Sequence, residues 1–393
     1  MFAVLRNACK PLLKITAALS TMALAACDPS AMSSSGGSDQ RVDTSTAIPV
    51  ALLVPGGTAN PGEELLARQL RLAAELAIAD QNGVKIDLRV YNTGGNAAQA
   101  AQMANKAVDE GAKIILGPLH GEAANAAGVA VAPRGVNVLA FSNNTDIAGG
   151  NVFVLGPTFT NTATRLVSYA AKQGKRRIQI VGEDTAAGQA GARAIENAIS
   201  RSGATLAGRT TFPRSQDGVS GATPQIAAAA SAGADALFIT SNTDDVLPFL
   251  ANALASKGIK SPNPQMMGLT RWDIPAAALQ LPGLQGGWFA MPDRNLTQAY
   301  ESRFRAAYGE SPHALSGLAY DGISAIAALV KTRGADALSK GALTQNAGFV
   351  GVSGVFRLRS DGSNERGLAI AEIRNGQAVV IDPAPRSFGG AGF

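Results

Sequence analysis

The chain has 393 residues, 46% of them apolar and 16% charged. That balance suits a protein with an ordinary packed core and argues against a disordered chain. The formal net charge is +5, but no basic run is interleaved with aromatic residues, so no nucleic-acid partner is expected.

The N-terminus has the order of an export signal. Arg6, Lys10 and Lys14 form a positive region, and Ile15 to Ala26 form a short Ala- and Leu-rich stretch ending in small residues. Residues 1–26 are therefore expected to be a signal peptide. The stretch falls well short of the roughly 20 apolar residues that span a bilayer. Leu24-Ala25-Ala26-Cys27 resembles the lipobox of bacterial lipoproteins. The resemblance implies cleavage before Cys27, a diacylglycerol on its thiol, and a protein held by lipid on the periplasmic face of a membrane. Stable anchoring takes more than one acyl chain. Asp28 resembles the inner-membrane retention signal of enteric lipoproteins. Cys9 would leave with the leader, so the mature chain keeps a single cysteine and no disulfide framework is possible. Three positive charges leave with it too, so the mature chain stands near +2.

Residues 27–47 are mostly Ser, Gly, Asp, Thr and Ala, and are expected to form a flexible tether. About 345 residues follow, enough for two lobes. Strand Pro49–Val54 leads into helix Glu63–Asn82, whose Leu65, Leu66, Leu70, Ala73, Ala74, Ala77 and Ile78 fall near helical spacing. Strand Ile86–Tyr91, helix Ala97–Glu110, strand Ile114–Leu116, helix Glu122–Ala132 and strand Val136–Phe141 continue the alternation. Alternating strands and helices predict a parallel sheet covered on both faces.

The pattern then restarts. Helix Thr162–Gln173, strand Arg177–Val181, helix Gly188–Ser202, strand Thr205–Thr211, helix Pro224–Ala232, strand Ala236–Ile239, helix Asp245–Lys257 and strand Gln265–Gly268 form a second unit. Gly286–Met291 reads as a strand that crosses back, followed by helices Leu296–Tyr308 and Leu315–Thr332. Short strands Gly351–Phe356, Leu368–Arg374 and Gln377–Ile381 close the fold, with a type I′ hairpin signal at Asn375-Gly376. Residues 383–393 read as a disordered tail.

Catalytic patterns are missing. The sequence holds no phosphate loop, no H-E-x-x-H, no G-x-G-x-x-G and no G-x-S-x-G, and its only histidines are His120 and His313. No enzyme, metal or cofactor is expected. Polar residues gather instead just after strands, where doubly wound sheets bind ligands. In the first unit these are Gly56–Asn60, Leu119-His120-Gly121 and Ser142-Asn143-Asn144-Thr145. In the second they are Glu183-Asp184, Ser241-Asn242-Thr243-Asp244 and Thr270-Arg271-Trp272. Ser-Asn-Asn-Thr and Ser-Asn-Thr-Asp also suit helix caps and Asx-turns, the commoner use of such residues. Trp272 suits either a pocket wall or a plug.

Leu52–Gly57, Val90-Tyr91-Asn92-Thr93 and above all the run Ala112–Leu119 resemble the type I periplasmic binding proteins of the branched-chain amino acid group. The resemblance spans most of residues 48–382. It implies a two-lobed α/β fold, each lobe a doubly wound, mostly parallel sheet, with three crossovers and a ligand cleft between the lobes. The crossovers fall near Leu155–Pro157, Phe289–Pro292 and Val350–Gly354. Lobe 1 is then 48–156 plus 291–350, and lobe 2 is 157–290 plus 351–382. Gly121 stands where a carboxylate-binding serine is usual, and Ser142, Asn143 and Thr145 fall in the second carboxylate loop. Thr243 replaces an expected aromatic. Thr270 and Arg271 stand where an acid normally holds the ammonium group. Arg271 would repel an ammonium and suit an anion. The resemblance thus implies a receptor for an amino-acid-like or small anionic ligand, with an ABC permease as a partner.

The run Gly286-Gly287-Trp288-Phe289-Ala290-Met291-Pro292 is similar to a second group, the penicillin-binding protein activators. Those lipoproteins share the fold and regulate peptidoglycan synthases by contact. The helical repeat module often found ahead of that fold has no counterpart here before Ile48.

Overall fold

A computed structural model describes residues 41–389. Residues 1–26, Cys27, Asp28 and the tether as far as residue 40 lie outside the described residues. The first lobe opens with β1 (Ile48–Val54), α1 (Pro61–Asp80), β2 (Ile86–Asn92), α2 (Ala97–Asp109), β3 (Ile114–Leu116), α3 (Gly121–Val131), β4 (Asn137–Ala140) and β5 (Val152–Val154). Its sheet runs in the order β2-β1-β3-β4-β5, and every pairing is parallel. The apolar run of β1 is buried nearly throughout, as a strand covered on both faces requires. Pro61 at the first turn and an Asn60 side chain that accepts from Gly62 N–H start α1. Leu66, Leu70, Ala73, Ala74 and Ala77 then face the core. On the other face α2 and α3 press alanines onto Ala51, Leu53 and Ile115.

The second lobe holds α4 (Phe159–Lys172), β6 (Arg177–Glu183), α5 (Ala186–Ser202), β7 (Thr205–Phe212), α6 (Gln216–Ser231), β8 (Ala236–Ile239), α7 (Leu247–Ser256), β9 (Gln265–Gly268) and β10 (Trp288–Met291). Helix α6 begins eight residues before the expected Pro224. Ser215 Oγ caps it by accepting from Gly218 N–H at 3.0 Å, and Val219, Ala222, Thr223 and Ile226 supply its buried face. Pro224 lies inside the helix rather than at its start.

After β10 the chain returns to the first lobe as α8 (Arg294–Tyr308), α9 (Gly317–Arg333) and α10 (Lys340–Leu343). A small antiparallel sheet follows: β11 (Phe349–Gly351), β12 (Gly354–Leu358) and β13 (Asn364–Arg366). Phe349, Phe356 and Leu358 pack into the first lobe's core. The third crossover therefore comes after β13, at Gly367-Leu368, not at Val350–Gly354 as expected. Residues 351–366 go with the first lobe. Strands β14 (Ala369–Arg374) and β15 (Gln377–Asp382) then complete the second sheet, in the order β15-β14-β10-β9-β8-β6-β7, antiparallel at β10-β14-β15. Their turn places both Asn375 and Gly376 at positive φ, 52° and 71°.

Both ends of the folded part extend beyond the expected limits. Val42 is buried in the first lobe's core and its N–H donates to Ala335 O at 2.9 Å, so order begins inside the stretch read as tether. Ala384 is buried in the second lobe's core, and Arg357 lies 4.6 Å from the Phe388 ring centroid, so these two residues of the expected tail are held against the fold.

Two of the crossovers are tied together. Asn364 Nδ2 donates to Val154 O at 2.9 Å and to Gly156 O at 2.7 Å. The Arg366 guanidinium donates to Leu155 O and lies 3.6 Å from Asp321 of α9. Asp321 in turn accepts from Val352 N–H at 2.7 Å. Asp321 is 1% exposed and Arg366 7%. Burial pushes the Asp321 carboxyl up to about 6, against the pull of Arg366 and of the Val352 N–H. The folded chain then binds the Asp321 proton more tightly than the unfolded chain does. The stability this group contributes is fullest below its ordinary value of 3.8 and declines as pH rises through about 6. Urea unfolding of the native chain and of Asp321→Asn between about pH 4 and pH 7 should show the native chain's relative stability falling with pH. A constant difference would mean that Asp321 is ionised throughout.

Candidate functional site

The polar loops named from the sequence stand at the carboxyl edges of the two sheets, three on each. In the first lobe Gly121 and Ser142 are neighbours: a Cβ on Gly121 would lie 3.4 Å from Ser142 Oγ and from Asn144. Ser142 is buried, and its Oγ accepts from Asn144 N–H at 3.1 Å. Asn144 Oδ1 accepts from Asp146 N–H, which makes Asn144 a cap. Asn143 and Thr145 are exposed. The Gly56–Asn60 loop is filled from within, because Gly57 and Thr58 N–H both donate to Glu64 Oε1, at 2.6 and 2.7 Å. His120 Nε2 lies 3.3 Å from the Glu63 carboxylate.

In the second lobe the expected residues stitch loops to one another. Thr243, 9% exposed, donates to Ile274 O, which joins the loop after β8 to the loop after β9. Thr270 Oγ1 donates to Ser241 O at 3.4 Å. Arg271 forms a two-point pair with Asp273, with Nε to Oδ1 at 2.8 Å and Nη2 on Oδ2. The positive charge expected to attract an anion is thus already matched by a carboxylate two residues away. Trp272 is fully buried and belongs to the core, not to a pocket wall. Its ring lies against Gly268 and Gly287, where a Cβ would come within 2.3 and 2.5 Å of it. The hydrogen bonds recorded at all these residues stay within one lobe.

A cavity of about 180 Å³ opens at the second crossover. Arg271 and Asp273 form one wall, Met291 and Pro292 the floor, and Arg294, Thr297, Gln298 and Glu301 of α8 the other wall. Of the expected residues only Arg271 lines it. The α8 side carried no polar-loop signal, since those residues read from sequence only as the start of an amphipathic helix. The walls carry two cationic and two acidic side chains.

With this geometry in hand, the family is clear. The model of the periplasmic binding protein family matches residues 48–378, and the chain belongs to that family. It is accordingly a binding protein and not an enzyme. No curated protein sequence matches it. Among solved structures, it is similar to one from Rhodospirillum rubrum assigned to branched-chain amino acid ABC transport, with a TM-score of 0.72 at 18% identity, covering 86% of this chain and 100% of that one. An ABC transporter substrate-binding protein from Desulfitobacterium hafniense in complex with Leu matches with a TM-score of 0.62 at 20% identity, covering 86% and 100%. A solute binding protein of an ABC transporter from Rhodopseudomonas palustris, in complex with 3,4-dihydroxy benzoic acid, matches with a TM-score of 0.57 at 16% identity, covering 86% and 96%. At such identities the likeness establishes the shared two-lobed fold.

The hydrogen bonding separates structural from free residues. Thr243→Val should lower stability by about 1 kcal/mol, the typical worth of one such bond, whereas Thr145→Ala should stay within about 0.5 kcal/mol of the parent. Urea titration of the two variants checks this, and equal stabilities would break the assignment of Thr243 as a loop tie.

Proposed function

We propose that the chain is a lipid-anchored periplasmic solute receptor that holds an amino-acid-like or small anionic ligand between its lobes and serves an ABC importer. The observation that carries this reading is the cavity at the second crossover, walled by one loop of the second lobe and one helix of the first. A ligand there touches both lobes at once, so it favours the arrangement in which they close, by population shift. The mixed charge of the walls supports an amino-acid-like ligand over a simple anion, since Arg271 is matched by Asp273 and Arg294 is accompanied by Glu301. Asn143 and Thr145, exposed on the first lobe, are the groups available to close from that side. Thr243, Thr270 and Arg271 complete the proposed site from the second. The lipid anchor rests on Cys27 and its preceding run. Among the described residues no helix is long and apolar enough to cross a membrane.

A second reading follows from the same hydrogen bonds. Because Thr243, Thr270 and Arg271 already spend polar atoms inside their lobe, the fold suits a regulator of peptidoglycan synthesis that acts by protein contact, as in penicillin-binding protein activators.

A thermal-shift screen of the full chain in detergent, against amino acids, small carboxylates and peptidoglycan fragments, separates the two. A ligand present at 100 times its Kd should stabilise the fold by about 2.7 kcal/mol. A hit among amino acids or carboxylates supports the receptor. Silence across the panel, with capture of a peptidoglycan synthase, supports the regulator.

A further inference from the structure

The two sheets differ in charge at the edges away from their site loops. In the second lobe β7, β6, β8 and β9 start side by side, with Arg177 opposite Thr205, Ile178 opposite Ala236 and Ala236 opposite Gln265. Lys172, Lys175, Arg176 and Arg177 fill the turn into β6, Arg201 lies in the last turn of α5, and Lys257 and Lys260 flank the turn into β9. The turns are in contact. Lys175 Nζ donates to Pro262 O at 2.8 Å and to Asn263 Oδ1 at 2.9 Å, and Arg177 Nη2 donates to Ala232 O at 3.3 Å. The one acid among these turns, Asp235, turns its Oδ2 inward to accept from the Arg176 and Arg177 N–H groups, at 3.0 and 2.8 Å. Across the sheet Arg374 is matched by Glu372.

Cations suit the ends of helices, and α4, α5, α6 and α7 all end here. The first lobe shows how little that demands. Helices α1, α2 and α3 end at the same edge of its sheet, yet residues 80–85, 106–113 and 132–136 carry four cations to three acids. Two of those cations are paired, Lys106 with Glu110 and Arg134 with Asp109. The second lobe carries seven cations to one acid in the matching turns. Beside them Leu206, 47% exposed, stands on the edge strand β7 opposite Ile178. An exposed leucine among lysines and arginines fits the boundary of a bilayer, where headgroups meet acyl chains.

We infer that the amino edge of the second sheet is a docking surface for anionic phospholipid headgroups. This rests on the lipid-anchor part of the proposed function and adds a second contact to it. Val42, fixed in the first lobe, is fifteen residues on from Cys27, a span of at most about 50 Å. An anchored chain therefore stays close to the bilayer, where a weak charge-based contact is enough to hold it. Headgroups are mobile and need no fixed complementary shape, which suits long side chains raised on adjacent turns.

Lysine acetylation read by mass spectrometry tests the surface, on the full chain in nanodiscs of phosphatidylglycerol or of phosphatidylcholine. In the anionic discs Lys172, Lys257 and Lys260 should react slower by about fivefold or more, with Lys85 and Lys106 of the first lobe changed by less than about twofold. Salt at about 0.5 M should remove the difference. Each cation at an anionic surface is worth about fivefold, so Arg176→Gln with Arg201→Gln should lower the ratio of docked to undocked chain about 25-fold and release the three lysines. Both arginines are exposed, and circular dichroism should show the variant folded. Unchanged protection in the folded variant overturns the surface. Should the variant not fold, salt on the parent chain decides, and protection that survives it overturns the surface. The surface also fails, and the anchor stands, if the chain co-elutes with both discs and its lysines react alike. Protection reproduced by inorganic phosphate with neutral discs assigns a soluble anion and overturns the lipid surface. Co-elution with anionic discs alone supports the surface and overturns the anchor. Co-elution with neither overturns both.

Discussion

The grip of β13 on the end of β5 is the constraint on which the two-lobed arrangement depends. Strand β5 ends in three successive carbonyls, Val154, Leu155 and Gly156, at the point where the chain leaves the first lobe. Asn364 takes two of them and Arg366 the third. Backbone carbonyls at a buried crossing must be satisfied somewhere, and no strand is on hand to do it by ladder pairing. Side chains from the third crossover do it instead. The first and third crossings are thereby held side by side, and α9 is drawn in through Asp321. Such a buried ion pair is weak evidence for stability in itself, because desolvation offsets most of the Coulombic gain. Its consequence is geometric: the linked segments have one mutual arrangement in which every carbonyl is matched. A closing motion that kept these bonds would pivot about them.

From that knot the second sheet carries the loop after β9 to the cavity at the second crossover, where α8 of the first lobe faces it. The loops differ in how their polar groups are used. Those of the first lobe are closed by local caps, Asn144 on Asp146 and Glu64 on Gly57 and Thr58. Those of the second lobe are cross-linked to one another through Thr243 and Thr270. Cross-linking makes that edge a rigid platform, and it leaves Glu183 Oε1, at the end of β6, and Ser241 Oγ, in the loop after β8, without hydrogen-bond partners. A rigid wall with a small number of unspent polar atoms is what a selective binding surface needs, because little ordering is left to be done on binding.

The strand–helix alternation made the order of the larger elements readable from the chain, because buried parallel strands and amphipathic helices have different periods. Where reading failed, it failed for local reasons. The start of α6 is a polar, Gly-containing turn, Ser215 to Gly221, and Pro224 looked like a first-turn proline. Strands β5 and β13 have three residues each, too few for a period to show, and the Asn-Glu-Arg of β13 has no apolar signal at all. The misplaced third crossover follows from that omission. Among the candidate site residues, polarity at strand ends was legible, but the spending of that polarity was not. Arg271 looked free because the reach of Asp273 back to it is a matter of loop conformation. Trp272 was ambiguous until Gly268 and Gly287 were seen to make room for its ring.

The sequence by itself determined the class of fold, the alternation that builds each lobe, and the absence of any familiar catalytic pattern. These depend on composition and periodicity, which are local properties. The tertiary structure alone decided where the chain crosses between lobes, which polar side chains are consumed by their own loops, and which remain unmatched. Those outcomes depend on pairing between residues as far apart as Leu155 and Arg366, or on strands such as β6 and β8 brought side by side. Hydrogen-bond satisfaction is settled by neighbours in space, and a sequence states only its neighbours along the chain.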